Sequence, residues 1–228
     1  MDERTAAFFD VDGTLLNGNI IRYYAFLRRR EMGNIGRLVW TAGLLARIPG
    51  YLIVDRISRE KLTTRFYRNY RGFTPQQLRE GAEALFAEEL KPKVYPQALA
   101  CIESHRAAGR DIVLISGSIR QIVTPVAEHV GADHMLCVDL EVADGVFTGA
   151  LQTGALTGPQ KAKALADYAC SHRVRLKSSH AYADSLDDVP MLSQVGNPVA
   201  VNPDARLEKI ASRKGWDVQQ WNPGCLET

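Results

Sequence analysis

Asp10 and Asp12 stand one residue apart where a short apolar run, Thr5 to Phe9, comes to an end, and Gly13 follows at once. Further along lie Ser116 with Gly117, then Lys161, then Asp184 with Asp188. Gathered into one cleft, three or four carboxylates raise one another's pKa values. A divalent cation that prefers oxygen relieves that repulsion. Mg2+ suits a site of one or two carboxylates, a carbonyl, waters and a substrate phosphate. The Ser116 hydroxyl, the Gly117 amide and the Lys161 ammonium would then donate to phosphate oxygens. A carboxylate facing a neutralised phosphate can attack it as a nucleophile. A second acid two residues on, projecting separately once the chain leaves strand geometry at Gly13, can protonate the leaving oxygen and then activate water.

These groups can meet only if the chain folds so that the ends of several strands share one rim. The hydrophobic pattern predicts such a fold. Thr5 to Phe9 reads as a buried strand. After Pro92, strands and helices alternate: a helix over "ALACIESHRAAG", a strand "DIVLIS" ending at Ser116, a helix over "RQIVTPVAEHVG" and a strand "HMLCVDLEV". Asp144-Gly145 signals a hairpin, with "VFTGAL" pairing back. A helix opens near Gly158, "SHAYAD" is a strand ending at Asp184, "PVAVN" is a further strand, and "ARLEKIASRKG" is a helix. Repeated β-α units imply an α/β fold, a mostly parallel sheet covered on both faces. Open sheets of this kind bind ligands at the carboxyl ends of their strands.

Between about Ile20 and Lys91 the spacing is helical instead, with Thr74-Pro75 as a helix start. This stretch is rich in arginine, whereas the whole chain carries a net charge of only +2. Near-neutral charge names no polyanionic partner, so nucleic acid is not expected. The 228 residues fit one α/β domain carrying an insertion. Four widely spaced cysteines without a CxxC pair predict reduced, mostly buried thiols. Lacking an apolar core, the amino terminus does not read as a secretory signal, and a cytoplasmic location is expected. Ile35 to Val54 has the length of a membrane span, but Arg37, Arg47 and Pro49-Gly50 interrupt it. A buried helix pair turning at Pro49-Gly50 is expected there.

Four segments carry a resemblance. "DVDGT" (Asp10 to Thr14), "ISGS" (Ile115 to Ser118), "GPQK" ending at Lys161 and "ADSLDDVPML" (Ala183 to Leu192) resemble, in order and spacing, the motifs of the haloacid dehalogenase superfamily. The helical insert after the first motif looks most like the phosphoserine-phosphatase-like subfamily, IB. The resemblance implies a Rossmann-like core over residues 1–17 and 92–228, and an α-helical cap over residues 18–91. It also implies a Mg2+-dependent phosphomonoester hydrolase acting on a small phosphorylated metabolite. Carried over by position, Asp10 would be the nucleophile that forms an aspartyl-phosphate, and also a metal ligand. Asp12 would be general acid and base, with its carbonyl on the metal. Ser116 and Gly117 would hold the phosphoryl group and Lys161 would neutralise it. Asp184 would ligate the metal, and Asp188 would hold metal-bound water or Lys161.

The chain departs from phosphoserine phosphatases at Asn19, where those enzymes usually carry a Glu that binds the substrate ammonium. A neutral amide cannot form that ion pair, which speaks against phosphoserine. Arg65 lies near the place of the cap arginine that binds the substrate carboxylate. Asp187 stands where those enzymes tend to have Asn. Three other readings stay open: phosphoserine phosphatase proper, a lipid-phosphate phosphatase whose basic, apolar segment Ile35 to Arg59 docks on a membrane surface, and a non-catalytic binding module. Oligomeric state is not readable.

Overall fold

A computed structural model describes residues 4–30, 32–33 and 59–223. The opening apolar run forms β1 (Ala6–Phe9), buried on both faces. β1 pairs in parallel with β2 (Asp111–Ile119) on one side and β6 (His180–Ala183) on the other. β3 (His134–Val138) lies outside β2, while β7 (Asn197–Val201) and β8 (Asp217–Gln219) extend the sheet beyond β6. The order is β3-β2-β1-β6-β7-β8, and every pairing is parallel. Strands β1 to β3 build outward one way; the chain then returns past β1 and builds the other half. The order therefore reverses between β1 and β6, the place where open α/β sheets form a crevice.

The period of two along each strand divides the core between two faces. Ala7, Phe9, Ile112, Leu114, Tyr182 and Val199 point to one side. Ala6, Phe8, Val113, Ile115, Ala181 and Ala200 point to the other. The second face is covered by α6 (Gly158–His172), α7 (Val189–Leu192) and α8 (Ala205–Lys214). The first is covered by α4 (Pro96–Ala107) and α5 (Arg120–Val130). It runs on without a break into α1 (Ile20–Arg30), α2 (Arg59–Tyr67) and α3 (Pro75–Leu85) through Tyr23, Tyr24, Leu27, Phe66, Leu78 and Leu85. Tyr24 meets Phe66 and Tyr70 at ring-centroid distances of 5.7 and 5.1 Å. A hairpin of β4 (Leu140–Ala143) and β5 (Val146–Leu151) ties down the same region. The Gly72 N–H donates to the Phe147 carbonyl at 2.9 Å, and the Phe147 N–H to the Phe73 carbonyl at 2.8 Å.

Several expectations need correction. β2 does not stop at Ser116 but continues to Ile119, with an irregularity between Ile115 and Ile119 where the β3 register shifts. Small residues, Ser116-Gly117-Ser118, let the strand bulge there and resume pairing at Ile119. "HMLCVDLEV" is two strands. Asp139 breaks it, because its carboxylate accepts from Nε and Nη2 of Arg120 at 2.6 and 2.9 Å while the chain passes from the main sheet into the hairpin. β8 was not anticipated: its residues are mostly exposed and polar, so no alternation marks it. Among the described cysteines only Cys137 is buried; Cys101 is half-buried and Cys170 exposed. The helix pair expected around Pro49-Gly50, and most of the basic segment Ile35 to Arg59, lie outside the described residues. No helix among the described residues is long and apolar enough to cross a membrane.

The helix start at Thr74-Pro75 forms as expected. The Thr74 hydroxyl accepts from the Gln77 N–H at 3.1 Å, and the Gln77 side chain accepts from the Thr74 N–H at 2.8 Å. This capping box satisfies two donors that the first helical turn cannot satisfy itself. Thr74→Ala is expected to lower unfolding stability by about 1 kcal/mol in urea titrations. An unchanged midpoint would show that water caps α3 equally well.

Candidate active site

The Asp10 N–H still donates across the sheet to the Tyr182 carbonyl, at 3.0 Å, so its carboxylate leaves β1 at the carboxyl rim. The chain then turns tightly, with the Leu15 and Leu16 N–H groups both donating to the Val11 carbonyl. Gly13 makes this possible. Its φ is +98°, and a Cβ there would run into the Asp184 carboxylate. Asp184 arrives at the same rim from the end of β6, next to β1 in the sheet.

Lys161 enters from α6, one turn after its start at Gly158. Its ammonium donates to Asp10 Oδ1 at 2.6 Å and to Asp188 Oδ1 at 2.8 Å, and all three residues are under a tenth exposed. The other oxygen of Asp188 accepts from the Ser185 hydroxyl at 2.8 Å. Asp188 stands at the start of α7 but makes no side-chain capping bond; its carboxylate is committed to Lys161 and Ser185. Thr14 Oγ1 lies 3.3 Å from Asp10 and 3.4 Å from Asp184. Asp10, Asp184 and Asp188 each offer an oxygen within 4.8 Å of the others.

The charges do not balance. Burial raises the Asp10 pKa well above the ordinary aspartate value, offset in part by Lys161 and reinforced by Asp188, Asp184 and Asp12. Asp184 is pushed up to about 6, by burial first and then by Asp188. Burial works against the charge of Lys161, but Asp10 and Asp188 outweigh it and raise its pKa. The ammonium therefore stays charged while too few cations face the carboxylates.

Asp12 is held separately. Its carboxylate accepts from the Tyr23 hydroxyl, from Ser118 Oγ at 2.7 Å and from Ser116 Oγ at 3.3 Å. Ser116 Oγ itself accepts from the Ser118 N–H at 3.0 Å. Gly117 lies on the cavity wall, and its carbonyl accepts from the Tyr67 hydroxyl at 2.6 Å. The cavity measures about 440 Å³ and is also lined by Asn17, Asn19, Thr63, Leu156 and Asp187. A larger hollow, about 630 Å³, lies along β6, β7 and β8 near His180 and Trp216, but among the described residues Asp217 is its only lining carboxylate. The chemistry belongs to the smaller one.

The positions singled out in the sequence fall into three groups. Asp10, Asp12, Lys161, Asp184 and Asp188 come together around one cavity, with Gly117 on its wall. Ser116 is fully buried beneath it, its hydroxyl turned to Asp12. Asn19 lines the cavity, but its Oδ1 accepts from the Ile21 N–H at 2.9 Å and caps α1. Arg65 is not brought in: it is exposed on α2 and is not among the lining residues, whereas Thr63 is. Asp187 takes the Gly158 N–H at 3.1 Å, which tethers the start of α6. Sequence reasoning missed Tyr23, Tyr67 and Thr63, which carry no distinguishing spacing. Thr14 and Ser118 lie inside the quoted motifs and could have been read from them.

The haloacid dehalogenase-like hydrolase family model matches residues 7–193. A Streptomyces azureus protein named for inhibition of morphological differentiation is 34% identical, covering 94% of this chain and 78% of its own. A Mycobacterium tuberculosis phosphoserine phosphatase is 31% identical, covering 97% and 72%. A Neisseria meningitidis histidinol-phosphatase is 30% identical, covering 75% and 88%. Among solved structures, a Bordetella pertussis protein of unknown function superposes with a TM-score of 0.82 at 25% identity, covering 95% of this chain and 98% of that one. By sequence match and by fold, the chain belongs to the haloacid dehalogenase-like hydrolase family.

Proposed function

We propose that this phosphatase of the haloacid dehalogenase family is a Mg2+-dependent phosphomonoester hydrolase that works through an aspartyl-phosphate on Asp10. One observation carries the reading: a buried lysine clamps Asp10 and Asp188 while Asp184 stands beside them with no ion pair of its own among the described residues. The donor set fits Mg2+, being all oxygen and short of positive charge. Asp10 and Asp184 would hold the ion together with the Asp12 carbonyl, with Asp188 supporting them. When bound, the metal supplies positive charge to the phosphoryl oxygens.

The protein's own groups do the rest. Lys161 fixes Asp10 Oδ1, leaving Oδ2, weakly held by Thr14, to attack phosphorus. As the Asp10–phosphorus bond forms, the ester oxygen leaves and takes a proton from Asp12. Water then attacks the aspartyl-phosphate, gives its proton to Asp12 and frees Asp10 with inorganic phosphate. Gly117 and Lys161, which line the cavity, hold the phosphoryl group, whereas Ser116, expected from the motif to do so, lies beneath the cavity with its hydroxyl on Asp12. The described part of the insert, which lends Gly18, Asn19, Ile20 and Thr63 to the lining, acts as a cap over the cavity, whose volume suits a small metabolite. Relatives named for phosphoserine and histidinol phosphate stand at nearly equal identity, which supports a phosphate monoester without selecting either alcohol. Asn19 favours a substrate other than phosphoserine, because its amide is neutral and its oxygen already serves α1.

Asp10→Asn is expected to abolish hydrolysis of p-nitrophenyl phosphate, and Asp12→Asn to lower it by about 10²–10⁴-fold. Full activity in either variant would rule out the mechanism. A screen of phosphorylated metabolites, phosphoserine among them, identifies the alcohol.

The metal assignment has its own readout. Since the folded pKa of Asp184 is raised to about 6, the fold holds this proton more tightly than the unfolded chain does. Its contribution to stability is full below about pH 4 and is lost as pH rises through the folded value. The metal-stripped protein should therefore lose melting temperature between about pH 5 and about pH 7. Added Mg2+ should restore more at the higher pH, where it no longer competes with the proton. Asp184→Asn should flatten both trends; trends unchanged in that variant would place the metal elsewhere.

A further inference from the structure

We propose that Tyr23, on the first helix of the insert, is the positioning residue for Asp12. The inference rests on the reading of Asp12 as acid and base. Tyr23 is 2% exposed, is not among the residues lining the cavity, and donates its hydroxyl to Asp12 Oδ1. Ser118 and Ser116 hold the other oxygen, Oδ2. With one donor on Oδ1 and two on Oδ2, the plane of the carboxyl is set. Without Tyr23, both donors pull on the same oxygen, and the group is free to swing about its own bond.

The chain around Tyr23 is shaped for this contact. Asn19 starts α1 by accepting the Ile21 N–H on its side chain and the Tyr23 N–H on its carbonyl, the latter at 3.1 Å. That sets Tyr23 one turn in, above Asp12. Gly18 then leaves the necessary room. Its backbone does not require glycine, since its φ is outside the left-handed region, yet a Cβ there would run into the Tyr23 hydroxyl. The requirement is for close approach, and what approaches is the group that holds Asp12. Acid catalysis of ester cleavage depends on how well the proton donor is aimed at the leaving oxygen. Tyr23 thus makes the aim of Asp12 depend on the docking of α1.

The leaving group separates a positioning role for the buried phenol from simple packing. Values of kcat/KM report only the steps up to departure of the alcohol, and a poor leaving group needs the proton more than a good one does. Wild type, Tyr23→Phe and Asp12→Asn are compared on p-nitrophenyl phosphate, a good leaving group, and phenyl phosphate, a poorer one. Tyr23→Phe is expected to lose about tenfold in kcat/KM on phenyl phosphate and at most about threefold on p-nitrophenyl phosphate. The activity left on the second ester shows that the variant is folded. Asp12→Asn should show the same bias, more strongly. Equal losses on both esters in Tyr23→Phe, or none, overturn the assignment while leaving Asp12 in its role. Absence of bias in Asp12→Asn overturns the acid-base reading and this inference with it.

Discussion

One ammonium group, that of Lys161, sits between two buried carboxylates, and the architecture of the rim follows from it. An ion pair at this depth is worth little against well-packed apolar side chains, but removing one partner costs about 3–5 kcal/mol. Asp10, Lys161 and Asp188 must therefore stay together, which joins the end of β1, the first turn of α6 and the loop after β6. The smaller devices nearby serve that junction. Ser185 occupies the second oxygen of Asp188, Asp187 tethers the start of α6, and Gly13 lets Asp184 come close. What the junction does not do is neutralise the site. The pKa values of Asp10 and Asp184 rise because burial disfavours their charge and the neighbouring carboxylates add to that, against the offset from one shared lysine.

Sheet order makes the junction possible. Asp10 and Lys161 are 151 residues apart. Parallel strands all end on one rim, and the reversal between β1 and β6 opens a crevice there instead of a packed edge. The same order gives β1 neighbours on both sides, so its four residues are all apolar and buried and Asp10 is the first polar group after them. That abrupt change from apolar to acidic is the local signature of a strand that delivers a side chain to a ligand.

The helical insert shares its apolar cluster with one face of the sheet. It reaches the site through α1, where Asn19 and Tyr23 act within one turn of each other. Asn19 spends its side-chain oxygen on the helix start, and the helix start sets Tyr23 over Asp12. On the proposed function, a position that bears on substrate choice is thereby linked to one that bears on proton transfer.

Much of this was legible in the residues alone. Asp10, Asp12, Lys161, Asp184 and Asp188 lie in short motifs at strand ends, and the alternation of apolar runs with helical spacing implied the parallel sheet that gathers them. Local chemistry also marked Thr74 as a cap and Gly13 as a turn. The misses share one cause. β8 is an exposed edge whose residues need not alternate, and Asp139 divides a strand because of Arg120, 19 residues away. Arg65 had the right type and rough position, but the face of a helix turned to a cavity is set by packing, and Thr63 took that place. Tyr23 and Tyr67 read as ordinary core aromatics until the insert folds back on the rim. The amino-acid sequence by itself determined which groups could do chemistry and which strand ends would carry them, because those depend on residue type and period. Only the tertiary structure decided what orients each of them, because a hydrogen bond to a carboxylate depends on where a distant helix comes to rest.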